Sequence, residues 1–178
     1  MTKNGTFPIH PGGWVPAPPH LYLLFVAFRF DCRIFGISFV FRTFAGMKEV
    51  AVGILVRKKT VLAGQRRRTV RYPLKWEFPG GKIEPGETPV QALIRELREE
   101  LSVECEPGKR LLRQDWNYGE QSYRVHYFLV SSFKGEPANN TFEQLAWIAP
   151  ADLLQMDILD GNREAVERLV GLMKEEKL

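Results

Sequence analysis

Three glutamates in one short acidic stretch have the types and spacing to do chemistry. Glu96, Glu99 and Glu100 stand at i, i+3 and i+4, so on a helix they share one face. Like charges at this spacing destabilise an isolated helix by roughly 0.2–0.5 kcal/mol per pair. A divalent cation would convert that repulsion into binding, and oxygen-only ligands favour Mg²⁺ or Mn²⁺. The alternative for this stretch alone is a solvated acidic face neutralised by Arg95 and Arg98.

The preceding segment favours the metal-binding interpretation. Gly80 and Gly81 allow a backbone carbonyl or amide to approach a ligand closely. Arg95 can hold Glu87 through a bidentate ion pair. We expect this pairing to leave the other three carboxylates free for a metal ion.

Residues 81–103, GKIEPGETPVQALIRELREELSV, resemble the signature of the Nudix hydrolases. That signature is a Gly, five residues, Glu, seven residues, Arg-Glu, an apolar residue, any residue, Glu-Glu, any residue, Gly and an apolar residue. The positions that fit are Gly81, Glu87, Arg95, Glu96, Leu97, Glu99, Glu100 and Val103. Ser102 stands where the family has Gly, and a left-handed helix C-cap at Ser costs about 1 kcal/mol.

The stretch WEFPGGKIEPGET is similar to the MutT branch, whose members clear oxidised nucleoside triphosphates such as 8-oxo-dGTP. The resemblance spans about residues 48–169. It implies an α/β fold, the Nudix-type α/β/α sandwich with a mixed β-sheet between helices. It also implies a Mg²⁺-dependent hydrolase that releases a nucleoside monophosphate and pyrophosphate.

The resemblance assigns roles to individual residues. The implied metal ligands are the Gly80 carbonyl, Glu96, Glu99, Glu100 and the later Glu143, with Arg95 and Glu87 as a structural pair. The implied substrate contacts are Arg66, Glu77, Phe78 and Asn162. The candidates for the base that takes a proton from water are Glu96 and Glu143. Three of these substrate contacts have a plainer interpretation: Phe78 as core, Asn162 as a helix N-cap and Arg66 as surface.

Other functions stay open at this point. Another Nudix substrate, such as a cytidine triphosphate, a dinucleoside polyphosphate or a dinucleotide, is the alternative within the enzyme class. A nucleotide-sensing domain without turnover is a second alternative, and the presence of Glu96, Glu99 and Glu100 argues against it. A membrane-tethered protein that uses residues 21–44 is a third. The oligomeric state is expected to be a monomer or a homodimer.

The elements that must position these residues follow from pattern. A helix begins after Thr88 as N-cap, with Pro89 first and Gln91 closing a capping box. Its buried stripe is Leu93, Leu97 and Leu101, and a second helix covers about 163–174. The predicted strands are KEVAVGILVR and TVLAG as a hairpin, WEFPGG, RLLRQDWNYG paired with SYRVHYFLVSSF, and QLAWIA. These elements imply a mixed sheet between helices.

Residues 1–46 do not fit this pattern. Five prolines lie between residues 7 and 19, and a Phe-rich apolar stretch follows. Charges at Arg29, Asp31 and Arg33 interrupt that stretch well short of the ~20 residues that a spanning helix needs. We expect an over-extended reading frame with Met47 as the initiator. A membrane-associating or partner-binding arm and a true structural extension are the alternatives. The catalytic domain is then 47–178.

The formal charge of +4 lies mostly in the same region. Four basic residues and one acidic residue give residues 1–46 a net +3, which leaves +1 for the rest. We therefore expect no stable nucleic-acid partner. Cys32 and Cys105 lack metal-ligand spacing and do not form a disulfide framework, so we expect a reducing cytoplasm. His126, alone in an apolar run, is expected to be packed or at the surface and not a ligand.

Overall fold

The computed structural model describes residues 46–175, so the expectations for residues 1–46 fall, apart from Gly46, outside the described residues. Along that range, four strands precede the first helix, five strands follow it, and two helices come last. The strands are β1 Lys48–Arg57, β2 Thr60–Gln65, β3 Trp76–Glu77, β4 Gly80–Lys82, β5 Glu104–Glu106, β6 Arg110–Tyr118, β7 Gln121–Val130, β8 Ser132–Lys134 and β9 Gln144–Ile148. The helices are α1 Pro89–Leu101, α2 Pro150–Leu153 and α3 Arg163–Lys174, and a 3₁₀ turn covers Asp160–Asn162.

Seven strands form one mixed sheet. Its central path runs β3-β2-β1-β7-β6, while β4 pairs with β1 and β9 pairs with β2. The β1–β7 pair is parallel, with Ala51 opposite His126, and the other pairs in this sheet are antiparallel. Strands β5 and β8 form a separate antiparallel pair. The mixed sheet is the one predicted.

Alternate residues of β1 pack into two different cores. Ala51 and Leu55 contribute to a cluster with the α1 stripe Leu93, Leu97 and Leu101. Val52 and Ile54 contribute to a cluster that contains Ala165, Val166 and Leu169 of α3. Successive side chains of a strand point to opposite faces, so helices cover both faces of the sheet. This arrangement confirms the predicted α/β fold with the sheet between helices.

The WEFPGG segment departs from prediction because it forms two strands and not one. Strand β3 pairs with β2, whereas β4 pairs with β1. Pro79 has no N–H to donate, and Gly80 has a φ of 142°, so the chain turns there and changes partners. The short elements α2 and β5 carry too few residues for a periodic signal and were not predicted, and the predicted strand SYRVHYFLVSSF divides into β7 and β8.

The isolated histidine and cysteine of this domain lie inside it. His126 is 4% exposed, and its Nε2 lies 2.9 Å from a carboxylate oxygen of Glu49. Cys105 is a buried free thiol beside Phe133 and Phe128, in the core between the sheet and α1, which we call the α1 core. In residues 46–175, no helix has the length and apolar character to cross a membrane.

Candidate active site

Helix α1 presents the acidic face, and its ends are fixed locally. Thr88 caps the helix by accepting from the Gln91 N–H, and the Gln91 side chain accepts from the Thr88 N–H in return. The helix ends at Ser102, which adopts the left-handed conformation with a φ of 56°. Its leucine stripe is fully buried against the sheet. The glutamates therefore project from a helix whose rotation about its own axis is set by the core.

Arg95 binds Glu87 across the turn that leads into the helix. Nε and Nη2 of Arg95 donate to the two carboxylate oxygens of Glu87 at 2.8 and 2.9 Å. Glu87 also accepts from the Glu84 N–H at 3.0 Å, and these bonds together lower the pKa of Glu87 to about 2. Nη2 of Arg95 further donates to the Lys82 carbonyl. One guanidinium thus ties β4, the loop and α1 together.

Arg95 also holds Glu96, which corrects the expectation that the three glutamates are free of it. Its Nη1 donates to Glu96 at 2.7 Å and lies 3.7 Å from a carboxylate oxygen of Glu99. A guanidinium carries five N–H donors, so satisfying Glu87 leaves Nη1 for the adjacent carboxylates. Gly81 lies against the Glu96 carboxylate, where a Cβ would overlap it. A side chain at position 81 would therefore require the Glu96 carboxylate to move.

Glu100 is largely buried where α1 meets the 76–81 segment. Its carboxylate accepts from the Gly80 N–H at 2.9 Å. Burial, together with the smaller effect of the nearby charges of Glu96, Glu77 and Glu99, raises the pKa of Glu100 to about 8, against the opposing hydrogen bond from Gly80. A carboxyl group in this state releases its proton readily when a cation arrives.

The donor set has the chemistry of a divalent metal site. Carboxylate oxygens and a glycine carbonyl are the ligands that Mg²⁺ and Mn²⁺ prefer, and repulsion between these carboxylates is relieved by a cation. Within residues 46–175, however, no three acidic, His or Cys side chains already converge on one point. The helix fixes the backbone positions of Glu96, Glu99 and Glu100 on one face, and their side chains must rotate to converge.

Glu143 lies just before β9, in a loop that contacts the end of α1. Asn140 in this loop donates to the Glu99 carbonyl at 3.0 Å and to the Ser102 hydroxyl at 2.9 Å. The Glu143 side chain is partly exposed and forms a 3.4 Å ion pair with Arg68. The loop is therefore anchored on α1, and Glu143 itself is engaged with the 66–75 loop.

Arg66 and Glu77, both expected to contact substrate, bind each other. Nη1 of Arg66 lies 2.7 and 2.6 Å from the two carboxylate oxygens of Glu77. Nε and Nη2 of Arg66 donate to the carbonyls of Arg71 and Tyr72. The Arg66 side chain is about one-fifth exposed, which contradicts the surface alternative. Burial raises the pKa of Glu77, and the charge of Arg66 opposes that shift.

Phe78 and Asn162 meet, although 84 positions separate them. The Phe78 N–H donates to Oδ1 of Asn162 at 3.2 Å, and the two side chains are 3% and 5% exposed. Asn162 stands at the N-cap position of α3 but makes no side-chain capping bond. The structure thus places Phe78 in the core, and it uses Asn162 to hold the 76–80 segment instead of the helix end.

Sequence reasoning missed the residues that surround Asn162. Gln114 and Tyr127 both donate to the Gly161 carbonyl, and Tyr118 accepts from the Gly161 N–H. Gln114, Trp116 and Tyr118 alternate along β6, so strand periodicity would have placed them on one face. Nothing local indicates that this face meets residue 161.

Comparison with known proteins agrees with this geometry. The family model for the NUDIX domain matches residues 47–169. The chain is 32% identical over 126 residues to the CTP pyrophosphohydrolase of Escherichia coli K12, covering 71% of this chain and 93% of that protein. It is 29% identical over 125 residues to the 8-oxo-dGTP diphosphatase of the same organism, covering 70% and 97%. It also superposes on the crystal structure of a MutT Nudix hydrolase from Burkholderia pseudomallei with a TM-score of 0.62, at 25% identity and coverages of 69% and 98%.

Proposed function

The chain belongs to the Nudix hydrolase family and is MutT-like, and we propose that it is a Mg²⁺-dependent nucleoside triphosphate pyrophosphohydrolase for oxidised purine nucleotides. The proposed reaction converts 8-oxo-dGTP to 8-oxo-dGMP and pyrophosphate. Removal of this nucleotide from the cytoplasmic pool would prevent its incorporation into DNA. The 8-oxo-dGTP diphosphatase among the relatives supports the choice of substrate.

The observation that carries the proposal is the short segment shared by the two halves of the site. The Phe78 N–H binds Asn162, and two residues later the Gly80 N–H binds Glu100. Two residues of extended chain span at most about 7 Å. A base held beside Asn162 therefore lies close enough to the acidic face for its own phosphates to reach it. This separation supports a nucleotide as the substrate.

The side-chain chemistry of Asn162 favours a purine with an altered edge. Its Oδ1 is held by the Phe78 N–H, and this is the one hydrogen bond that the side chain makes within residues 46–175. The amide of an Asn side chain also carries two N–H donors. We assign these donors to an acceptor on the base, and Phe78 to the apolar wall behind it.

For the chemical step, the residues of the chain hold the phosphates and move a proton. Glu96, Glu99, Glu100, Glu143 and the Gly80 carbonyl are the groups that would hold Mg²⁺. When bound there, the cation neutralises phosphate charge and lowers the pKa of the attacking water. Glu96 or Glu143 takes the proton as the water oxygen attacks phosphorus, and the bond to the leaving pyrophosphate breaks. Arg95 and Glu87 keep the loop and helix in place.

A cytidine triphosphate is the second candidate substrate. The CTP pyrophosphohydrolase relative is 32% identical over 93% of its length, so the sequence similarity does not separate the two activities. The two candidates share the acidic face and differ in what the residues around Asn162 accept. A panel that contains both nucleotides separates them.

The testing experiment is hydrolysis of a panel of nucleotides with product identification. The panel contains 8-oxo-dGTP, dGTP, CTP, a sugar nucleotide and a dinucleotide, each with Mg²⁺ and with EDTA. We expect metal-dependent release of 8-oxo-dGMP and pyrophosphate in equal amounts. Arg98→Gln is the control variant, because Arg98 lies on the same helix as the glutamates but pairs at the surface with Glu104 of β5. The proposal would be contradicted if no nucleotide were hydrolysed in a metal-dependent way, or if the products were a nucleoside diphosphate and orthophosphate.

A further inference from the structure

Three side chains converge on one peptide group beside Asn162. Tyr127 donates its hydroxyl to the Gly161 carbonyl at 2.7 Å, and Gln114 donates to the same oxygen through Nε2. The Gly161 N–H donates to the Tyr118 hydroxyl at 3.0 Å. We call Gln114, Tyr118 and Tyr127 the Gly161 clamp. It satisfies both polar groups of one glycine with side chains from β6 and β7.

The clamp acts on the peptide unit that leads into Asn162. The Gly161 carbonyl, which accepts two of the three bonds, belongs to the same planar peptide as the Asn162 N–H. That N–H donates to the Leu159 carbonyl at 2.8 Å. The carbonyl and the N–H of this peptide unit are therefore both held by hydrogen bonds. They fix the direction in which the Asn162 side chain leaves the backbone.

Tyr127 is the buried member of the clamp, whereas Gln114 and Tyr118 are partly exposed. Tyr127 is 1% exposed and lies in the core between the sheet and α3. A buried hydroxyl or carbonyl without a partner costs about 1–3 kcal/mol, so an alternative position of the 3₁₀ turn is disfavoured. There is also no spare room, because a Cβ on Gly161 would lie 2.5 Å from the Tyr118 oxygen and 3.3 Å from Trp116.

Tyr118 joins the clamp to the loop that carries Arg66. Its carbonyl accepts from Nη2 of Arg71 at 3.1 Å, and its ring lies 5.2 Å from that of Tyr72. Tyr72 and Arg71 provide the carbonyls that hold Arg66. The same tyrosine therefore contacts the 3₁₀ turn before Asn162 and the loop around the Arg66–Glu77 pair.

We propose that Gln114, Tyr118 and Tyr127 are positioning residues that fix Asn162 and thereby set how strongly the protein distinguishes one nucleobase from another. This inference rests on the proposed function in one respect, the assignment of Asn162 as a base-contacting group. It does not depend on which nucleotide is preferred or on catalysis. Its prediction is that losing a clamp hydroxyl changes selectivity through Asn162 and not through the metal site.

The test is a double-mutant cycle on nucleotide binding. Dissociation constants for 8-oxo-dGMP, dGMP and CMP are measured by calorimetry on the full chain in the wild type, Tyr127→Phe, Asn162→Ala and the double variant. We expect Tyr127→Phe to reduce the ratio of weakest to tightest dissociation constant about two- to tenfold, the usual range for one hydrogen bond. In the Asn162→Ala background, Tyr127→Phe should change the ratio by less than about twofold.

Tyr123→Phe is the matched control, because its ring contacts Tyr118 and its hydroxyl makes no hydrogen bond to the described residues. It should leave the ratio unchanged. Tyr118→Phe provides a second variant should Tyr127→Phe lower the melting temperature so far that the protein unfolds. The inference would be overturned if both clamp variants left the ratio of dissociation constants unchanged, or if Tyr127→Phe had the same effect with and without Asn162. It would also be overturned if the wild type bound the three nucleotides with equal affinity.

A hydrolysis assay on the same samples separates this inference from the proposed function. Suppose that Tyr127 and Asn162 are coupled in binding but no nucleotide is hydrolysed with metal. That result would contradict the proposed function and leave the inference about the clamp standing. Metal-dependent hydrolysis without coupling between Tyr127 and Asn162 would overturn the inference about the clamp and leave the proposed function standing.

Discussion

Glu100 is the carboxylate whose surroundings alter its chemistry most. It is enclosed by the 76–81 segment, accepts one backbone N–H and faces three other carboxylates. Glu99, one residue earlier, is far more exposed, with 59% of its side chain accessible. The two proposed metal ligands therefore differ in burial, and Glu100 is the one whose pKa is raised by it.

The first prediction concerns removal of these charges. Glu99→Gln or Glu100→Gln should each reduce metal-dependent turnover by orders of magnitude, because an amide does not neutralise a divalent cation. Neither change should unfold the protein, since α1 is held by its leucine stripe and its caps. Steady-state kinetics with circular dichroism of the same samples checks this. Near-normal turnover in both variants would refute the metal-ligand assignment.

The second prediction concerns pH. The pKa of Glu100 is raised from 4.5 to about 8 in the folded protein, so folding favours its protonated form. Without divalent metal, its contribution to the free energy of unfolding is fully present below pH 4.5 and is lost as the pH rises to about 8. Urea unfolding in EDTA between pH 5 and 9 measures this. The wild type should lose stability relative to Glu100→Gln over that range, and Mg²⁺ should shrink the loss. Parallel curves for the two proteins would disprove it.

Spacing along the chain was enough to predict some residue contacts and not others. Glu87 and Arg95 lie on either side of a capping box, so local helix geometry brings them together. The contact of Arg66 with Glu77 depends on strand pairing between β2 and β3. The contact of Tyr118 with Gly161 joins strands to a distant turn, and periodicity carries no information about such tertiary contacts.

Helix α1 is the element whose limits the sequence defined best. Thr88, Pro89 and Gln91 marked its start, and the position of Ser102 marked its end. Both signals are local, because they depend on backbone groups within one turn. By contrast, the division of WEFPGG into β3 and β4 depends on two different partner strands. A single sequence window does not contain those partners.

The third prediction uses this helix end. Ser102 adopts a left-handed conformation that favours glycine, and its hydroxyl accepts from Asn140. Ser102→Gly should raise the free energy of unfolding by about 0.5–1 kcal/mol, because relief of backbone strain exceeds the loss of one exposed hydrogen bond. Ser102→Ala is the matched control, since it loses the bond and keeps the strain, and it should destabilise the protein. Urea unfolding measures both changes, and destabilisation by Gly equal to that by Ala would contradict the argument.

The whole domain is a sheet with a core on each side, and the two cores serve different halves of the site. The α1 core sets the position of the acidic face, and the α3 core contains Phe78 and Tyr127 beside Asn162. Among residues 46–175, the buried members of both cores lie between 51 and 169. The match to the NUDIX domain covers the same range, 47–169. We therefore propose that the catalytic domain is 47–178.

The fourth prediction tests that proposal. A variant that begins at Met47 should unfold with the same midpoint in urea as the full chain, because among residues 46–175 both cores are built from Val50 onward. Its kcat and KM for the preferred nucleotide should also be unchanged. A lowered midpoint or a loss of turnover would show that the upstream residues belong to the working structure.

The most direct test of the proposed function is kcat/KM for 8-oxo-dGTP and for dGTP, measured side by side with Mg²⁺. A contact worth about 1.4 kcal/mol changes the ratio tenfold. We predict that 8-oxo-dGTP is favoured by at least about tenfold and that Asn162→Ala reduces this preference. Equal kcat/KM values for the two nucleotides would contradict the assignment to oxidised purines, even if hydrolysis itself were fast.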